Sequence, residues 1–168
     1  MHNSIHGPHA IIAKYTMNVS NGSPARVLWL EEEPHSLAWE RTMAQSQNIL
    51  LTTCHYVDEA KRLIAEQVFD AVICDLILPR TEPDSKTGLV RIGTGLEFIE
   101  HLCDPSRHGA TTPDVFLCVV TAVHTPETKA AVCRFLKSEK HYLQKPILEP
   151  SGFLALLDDI AKHKARRA

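Results

Sequence analysis

Five residues of this chain have the types and positions to handle a phosphoryl group beside a hard cation: Glu31, Glu32, Asp75, Thr121 and Lys145. Asp75 is the lone charge in the apolar stretch Ala71 to Leu78 of FDAVICDLILP. Glu31 and Glu32 directly follow Val27-Leu28-Trp29-Leu30, Thr121 closes the uncharged run from Val115 to Val120, and Lys145 ends HYLQK ahead of Pro146. Carboxylate oxygens are hard ligands, and Mg2+ takes one or two of them together with water and phosphate oxygens. An ammonium and a hydroxyl beside them neutralise the oxygens of a phosphoryl group, in a transfer where positioning and electrostatics supply most of the catalysis. Each residue also has a plainer explanation. Asp75 is a common turn former, the acidic run with Pro34 suits the first turn of a helix, Thr121 can simply end a strand, and Lys145 can be a solvated charge. What decides is whether the chain brings them to one place.

The order of apolar segments says that it does. The run around Asp75 is continuous rather than alternating and rich in Val, Ile and Leu, which fits a parallel strand covered on both faces. Further strands are expected at 27–30, 49–53, 115–120 and 141–145. Helices are expected over 35–46, 58–67, 95–102, 125–136 and 150–164. Leu37, Met43 and Ala44 are available to pack in the first, and Ala60, Leu63 and Ile64 share one face of the second. Leu96, Ile99 and Leu102 point inward in the third, and Ala131, Val132, Phe135 and Leu136 serve the fourth. Phe153, Leu156, Leu157 and Ile160 fall at i, i+3, i+4 and i+7 in the last. Thr125-Pro126-Glu127 offers a hydroxyl cap with proline at the first helical position. Alternating strands and helices without an internal repeat predict one parallel sheet with helices on both faces. The carboxyl ends of such strands share one edge, where open α/β sheets bind their ligands. All five residues lie at that edge.

Composition excludes other classes. The length of 168 residues suits one domain with a full core and is short for two. A formal net charge of -2 gives no reason to expect nucleic acid or an anionic membrane as a bulk partner. No window reaches the roughly 18 apolar residues of a membrane span, and no secretion signal opens the chain, so a cytoplasmic location is expected. The five cysteines are odd in number and never spaced CxxC, which reads as reduced thiols rather than a disulfide framework or zinc site. Residues 1–24 lack periodicity and end in Asn21-Gly22-Ser23-Pro24. They are expected to form a flexible arm before a domain spanning 25–168, and His2, His6 and His9 within it have no fixed scaffold for a metal. Gly93-Thr94-Gly95 lacks a third glycine and no GxxxxGK occurs, which argues against a nucleotide site.

Taken together, RVLWLEEEP, FDAVICDLILP, TGLEFIEHL, VVTA and HYLQKP resemble the receiver domain of two-component response regulators, over Arg26 to about Lys164. The resemblance implies a flavodoxin-like (βα)5 doubly wound parallel sheet with strand order 2-1-3-4-5. It implies that Asp75 accepts a phosphoryl group from a sensor histidine kinase or a histidine phosphotransfer protein. Glu31, Glu32, Asp75 and the backbone carbonyl of Ile77 would hold Mg2+, and Thr121 and Lys145 would bind the phosphoryl oxygens. Tyr142, three residues before the lysine, would turn inward on phosphorylation. No output domain follows the fifth helix, so a stand-alone receiver is expected, acting on a downstream effector protein or by onward phosphotransfer. A homodimer through the face of the fourth helix, fifth strand and fifth helix falls within the same resemblance.

Two features depart from that pattern. The acidic pair is Glu31-Glu32 where the family usually has at least one Asp, and an added methylene moves each carboxylate outward from an ion that demands near-ideal octahedral geometry. The segment 80–94 (RTEPDSKTGLVRIGT) is longer than usual; loops of this length are usually functional or disordered. It is expected to be a lid, a partner contact or a disordered insertion, with Glu82 and Asp84 as candidates to join the metal shell. The alternative reading is a phosphorylation-independent pseudo-receiver that serves as an interaction module. A phosphohydrolase with an Asp nucleophile ranks lower, because the second acid it would want two residues on is replaced by Ile77.

Overall fold

The structure, a computed structural model, describes residues 22–79, 94–107 and 114–167. His2, His6 and His9 of the expected arm, and Glu82 and Asp84 of the 80–94 segment, lie outside the described residues. Strands β1 (Ala25–Leu30), β2 (Ile49–Cys54), β3 (Ala71–Cys74), β4 (Phe116–Thr121) and β5 (Tyr142–Gln144) form one sheet, in the order β2-β1-β3-β4-β5. Every pairing is parallel. Helices α1 (Ala38–Ser46), α2 (Val57–Glu66), α3 (Thr94–Cys103), α4 (Pro126–Cys133) and α5 (Pro150–Arg167) complete the expected doubly wound (βα)5 fold.

The unbroken apolar runs follow from burial on both sides of the sheet. Successive strand residues point to opposite faces, and both faces are covered. Leu28, Leu30, Val72, Cys74 and Val119 pack with residues of α2, α3 and α4, while Val27, Trp29, Ile73, Cys118 and Val120 pack with α1 and α5. Fully burying one such large side chain is worth roughly 1.5–3 kcal/mol. The predicted inward residues Phe153, Leu156, Leu157 and Ile160 of α5 are all buried, as are Ala60, Leu63 and Ile64 of α2. In α3, Ile99 and Leu102 are buried and Leu96 only partly, and Phe98 is a further core residue.

Several boundaries differ from expectation. The first helix starts at Ala38 rather than His35, because Pro34–Ser36 makes a separate 3-10 turn in which Ser36 Oγ donates to the Glu33 carbonyl at 2.7 Å. Glu31 to Glu33 therefore connect β1 to a turn and are not the first turn of a helix. Strand pairing of β3 ends at Cys74, although Leu76 and Leu78 remain buried beyond it. The fourth helix ends at Cys133, leaving Phe135 and Leu136 partly buried in the turns that follow. The last helix takes in the basic tail to Arg167, and Lys164 lies 3.2 Å from the buried Asp70 carboxylate.

At the amino ends of β4 and β5, Phe116 stacks against both His141 and His163, with ring centroids 4.6 and 5.4 Å apart. Both imidazoles are buried. Burial pushes each below the ordinary value of 6.5, against the opposing pull of Asp159 on His141 and of the Asp114 carbonyl on His163. The unfolded chain then binds more protons than the folded one as pH falls through 6.5. Their contribution to stability is complete above that pH and is lost below it. Urea denaturation between about pH 7.5 and 5 is expected to show a falling midpoint, with a shallower slope in a His141→Asn/His163→Asn variant.

Candidate functional site

Four of the five predicted residues meet at the carboxyl ends of the strands. Lys145, just past β5, places Nζ 2.6 Å from Asp75 Oδ2 and 2.5 Å from Glu31 Oε2. Thr121, the last residue of β4, donates from Oγ1 to Asp75 Oδ1 at 2.7 Å, and the Ile77 backbone N–H reaches the same oxygen at 3.1 Å. The carboxylates lie deep: Asp75 is 5% exposed and Glu31 3%. Glu32, the fifth residue, is exposed.

The sheet itself sets this geometry. The register pairs Leu30 with both Cys54 and Cys74, and backbone bonding runs one step past each strand. Glu31 N–H donates to the Cys54 carbonyl at 3.0 Å, Asp75 N–H to the Leu30 carbonyl at 3.1 Å, and Lys145 N–H to the Thr121 carbonyl at 2.8 Å. Side chains from β1, β3, β4 and β5 are thereby held on one edge. Behind them, α3 abuts Asp75: a Cβ on Gly95 would lie 2.1 Å from the Asp75 carbonyl oxygen and 2.5 Å from Leu76 Cα. The buried Thr94 hydroxyl donates to the Leu78 carbonyl and ties the same helix end to the chain leaving β3.

Burial alone would lower the Lys145 ammonium, but its hydrogen bonds to Asp75 and Glu31 and their charges outweigh that and raise it above the ordinary 10.5. A positive charge therefore stays between the carboxylates throughout the neutral range. The thiols are free and play no such part. Burial pushes Cys54 up to about 12 and raises Cys74 and Cys118 well above the ordinary range, so they stay protonated and unreactive.

Tyr142 is partly buried against the α2–α4 side of the core, and its phenol donates to the Val123 carbonyl. Val123 N–H in turn donates to Thr121 Oγ1 at 3.3 Å. A hydrogen-bonded chain thus links Asp75, Thr121, Val123 and Tyr142. Sequence reasoning singled out three of these and missed Val123, which acts through its backbone and carries no side-chain signal. It also missed Glu40 and Ile147, which help to line a cavity of about 550 Å³ that contains Glu31, Glu32, Asp75, Ile77 and Lys145 in its wall.

Among the described residues no three Asp, Glu, His or Cys side chains converge as a finished metal site. Two carboxylates do converge on one cation, the Lys145 ammonium, and Glu32 and Ile77 line the same cavity. Mg2+ asks for only one or two carboxylates with water and phosphate oxygens. The residues present fit that ion.

No protein-family model and no curated protein matches the sequence. The likeness is in the fold. A CheY-like response regulator receiver domain protein from Methanospirillum hungatei JF-1 has a TM-score of 0.62 at 16% identity, over 87% of this chain and 100% of that one. The receiver domain of Francisella response regulator 1452 has a TM-score of 0.61 at 16% identity, over 83% of this chain and 98% of that one. The chemotaxis response regulator CheY4 of Vibrio cholerae has a TM-score of 0.60 at 19% identity, over 82% and 99%. The chain has the fold of response-regulator receiver domains. No helix among the described residues is long and apolar enough to cross a membrane.

Proposed function

We propose that this chain is a cytoplasmic receiver that accepts a phosphoryl group on Asp75 from a phosphohistidine of a sensor histidine kinase or histidine phosphotransfer protein, and signals by protein contact or onward phosphotransfer. The observation that carries this reading is the contact of Thr121 and Lys145 with the two different oxygens of one buried carboxylate at the strand-end edge of a receiver fold. One Asp75 oxygen attacks phosphorus in line, the phosphorus–nitrogen bond breaks, and the imidazole leaves with the electron pair. Thr121 Oγ1 and Lys145 Nζ are placed to pass their hydrogen bonds from the carboxylate to the phosphoryl oxygens. Glu31, Glu32, Asp75 and the Ile77 carbonyl are the residues that would hold Mg2+, which when bound would neutralise charge on those oxygens. Redirecting the Thr121 hydroxyl alters its bond from Val123 and, through Val123, the seat of Tyr142 on β5. The face of α4, β5 and α5 is thereby biased between two populations, and a homodimer or an effector protein would read it there.

A second reading, a contact module that works without phosphorylation, is favoured by one observation. Both oxygens of Asp75 and both of Glu31 already have partners within the chain. Incubation with acetyl phosphate and Mg2+, followed by intact mass, separates the two. One phosphoryl adduct is expected in the wild type and none in Asp75→Asn. Folded wild type without an adduct favours the contact module, and an adduct that survives Asp75→Asn refutes Asp75 as acceptor.

A further inference from the structure

We propose that the cavity beside Asp75 has a second ligand position, between the Trp29 indole N–H and the Glu40 carboxylate, for a small protonated amine that carries a hydroxyl or carbonyl oxygen. Among the described residues three buried side-chain polar atoms have no partner. Two of them, Trp29 Nε1 and Glu40 Oε2, belong to residues in the wall of this one cavity. Buried polar atoms are as a rule hydrogen-bonded, and a buried tryptophan N–H usually finds an acceptor. Trp29 is 0% exposed and its ring packs against Phe153 with centroids 5.7 Å apart, so the core holds the indole in place. Glu40 lies in the first turn of α1, where a carboxylate complements the helix dipole. That role suits a solvated carboxylate and leaves the burial of Oε2 unexplained.

The wall specifies the guest. An indole N–H is a donor only, so the group beside Trp29 is an oxygen and not a metal ion, whose charge would oppose the donor. The Glu40 oxygen needs a donor in turn. Carboxylates of Glu31, Glu32, Glu33, Glu40 and Asp75 outnumber the single ammonium of Lys145 in the wall. An anion is therefore repelled, and a cationic donor is preferred at Glu40. Leu37, Val120 and Ile147 supply apolar surface in the same wall, against which a short carbon chain packs. The cavity holds about 550 Å³. At about 30 Å³ per water, a magnesium ion with about six waters and a phosphoryl group would take up roughly half of that. The amine position therefore coexists with the phosphoryl site and does not depend on it.

Ethanolamine is the probe, titrated in millimolar Mg2+ at neutral pH while the nitrogen–proton NMR signal of the Trp29 indole is followed. Trp39→Phe identifies that signal, since the chain has two tryptophans. The wild type is expected to give a saturable shift. Glu40→Gln, which keeps the shape and removes the charge, is expected to bind about tenfold more weakly. Tetramethylammonium, a cation without a donor, is expected to leave the signal unmoved. Equal affinity in Glu40→Gln overturns the proposal, as does a wild type without a saturable shift. An equal response to tetramethylammonium marks general attraction to the acidic wall and overturns it as well. So does a cross-peak between this N–H and water that ethanolamine does not displace, which marks a resident water only. No phosphoryl donor enters these measurements, so failure here leaves the phosphoacceptor reading of Asp75 untouched.

Discussion

Lys145→Met is expected to destabilise the metal-free protein by about 3 kcal/mol, measured as the shift of the urea unfolding midpoint at pH 7. Methionine fills much of the same volume, so the loss isolates the charge. The side chains of Glu31 and Asp75 are 5% and 7% exposed, and Lys145 lies within hydrogen-bond distance of both. Removing the cation leaves two carboxylates facing each other in a site with little water, and breaking a buried pair from one side typically costs about 3–5 kcal/mol. The lower end applies because the lysine is itself 24% exposed and solvent enters where it leaves. Two controls follow from the same argument. Adding Glu31→Gln and Asp75→Asn to Lys145→Met removes the stranded charges, and stability is expected to return to within about 1 kcal/mol of wild type. Millimolar Mg2+ is expected to restore part of the single variant's loss, since any ligand bound only by the folded state stabilises it. An unchanged midpoint in Lys145→Met would show that the lysine bridges contribute nothing to the fold.

The same site shows what a sequence reveals and what it withholds. Val27 to Leu30 and Val115 to Val120 are recognisable as strands because both faces of the sheet are covered, so no polar residue interrupts them. Residue type and topology then place Asp75, Thr121, Lys145 and Glu31 on one edge without any knowledge of distances. Ends of elements are harder because apolar character reports burial, not hydrogen bonding. Leu76 and Leu78 are as buried as a strand interior although the ladder stopped at Cys74, and Phe135 and Leu136 pack on the core beyond the end of α4. Spacing also cannot tell Glu31 from Glu32, since their difference is one of tertiary placement: Glu31 is buried against Lys145, whereas Glu32 is exposed. Val123 is illegible for another reason: its N–H and C=O serve Thr121 and Tyr142, and any non-proline residue offers those groups.

Gly95→Ala is expected to slow phosphoryl labelling by about a hundredfold while costing only about 2 kcal/mol of stability. The added Cβ would sit 2.1 Å from the Asp75 carbonyl oxygen and 2.5 Å from Leu76 Cα, where real Cβ contacts essentially never fall below 3.0 Å. Both neighbours are backbone, so no flexible side-chain end can yield, and the separation must grow by nearly an ångström. Two things can move. Helix α3 is anchored by Phe98, Ile99 and Leu102 in the core and by the Thr94 hydroxyl on the Leu78 carbonyl. The Asp75–Leu76 peptide is the lighter part, and the Asp75 carboxylate moves with it, away from Thr121 and Lys145. Overpacking of this kind costs about 1–3 kcal/mol, offset in part by the roughly 1 kcal/mol that Ala gains over Gly in a helix. Displacement of a reacting group by about 1 Å costs far more in rate, on the order of a hundredfold. Gly152→Ala supplies the contrast, because its Cβ would meet only Leu143 Cδ2, at an ordinary 3.8 Å. It gains helix propensity without crowding the backbone beside Asp75, so it is expected to keep wild-type labelling and lose no stability. Equal labelling by the two alanine variants would show that Asp75 tolerates movement of the helix behind it, and that Gly95 serves packing alone.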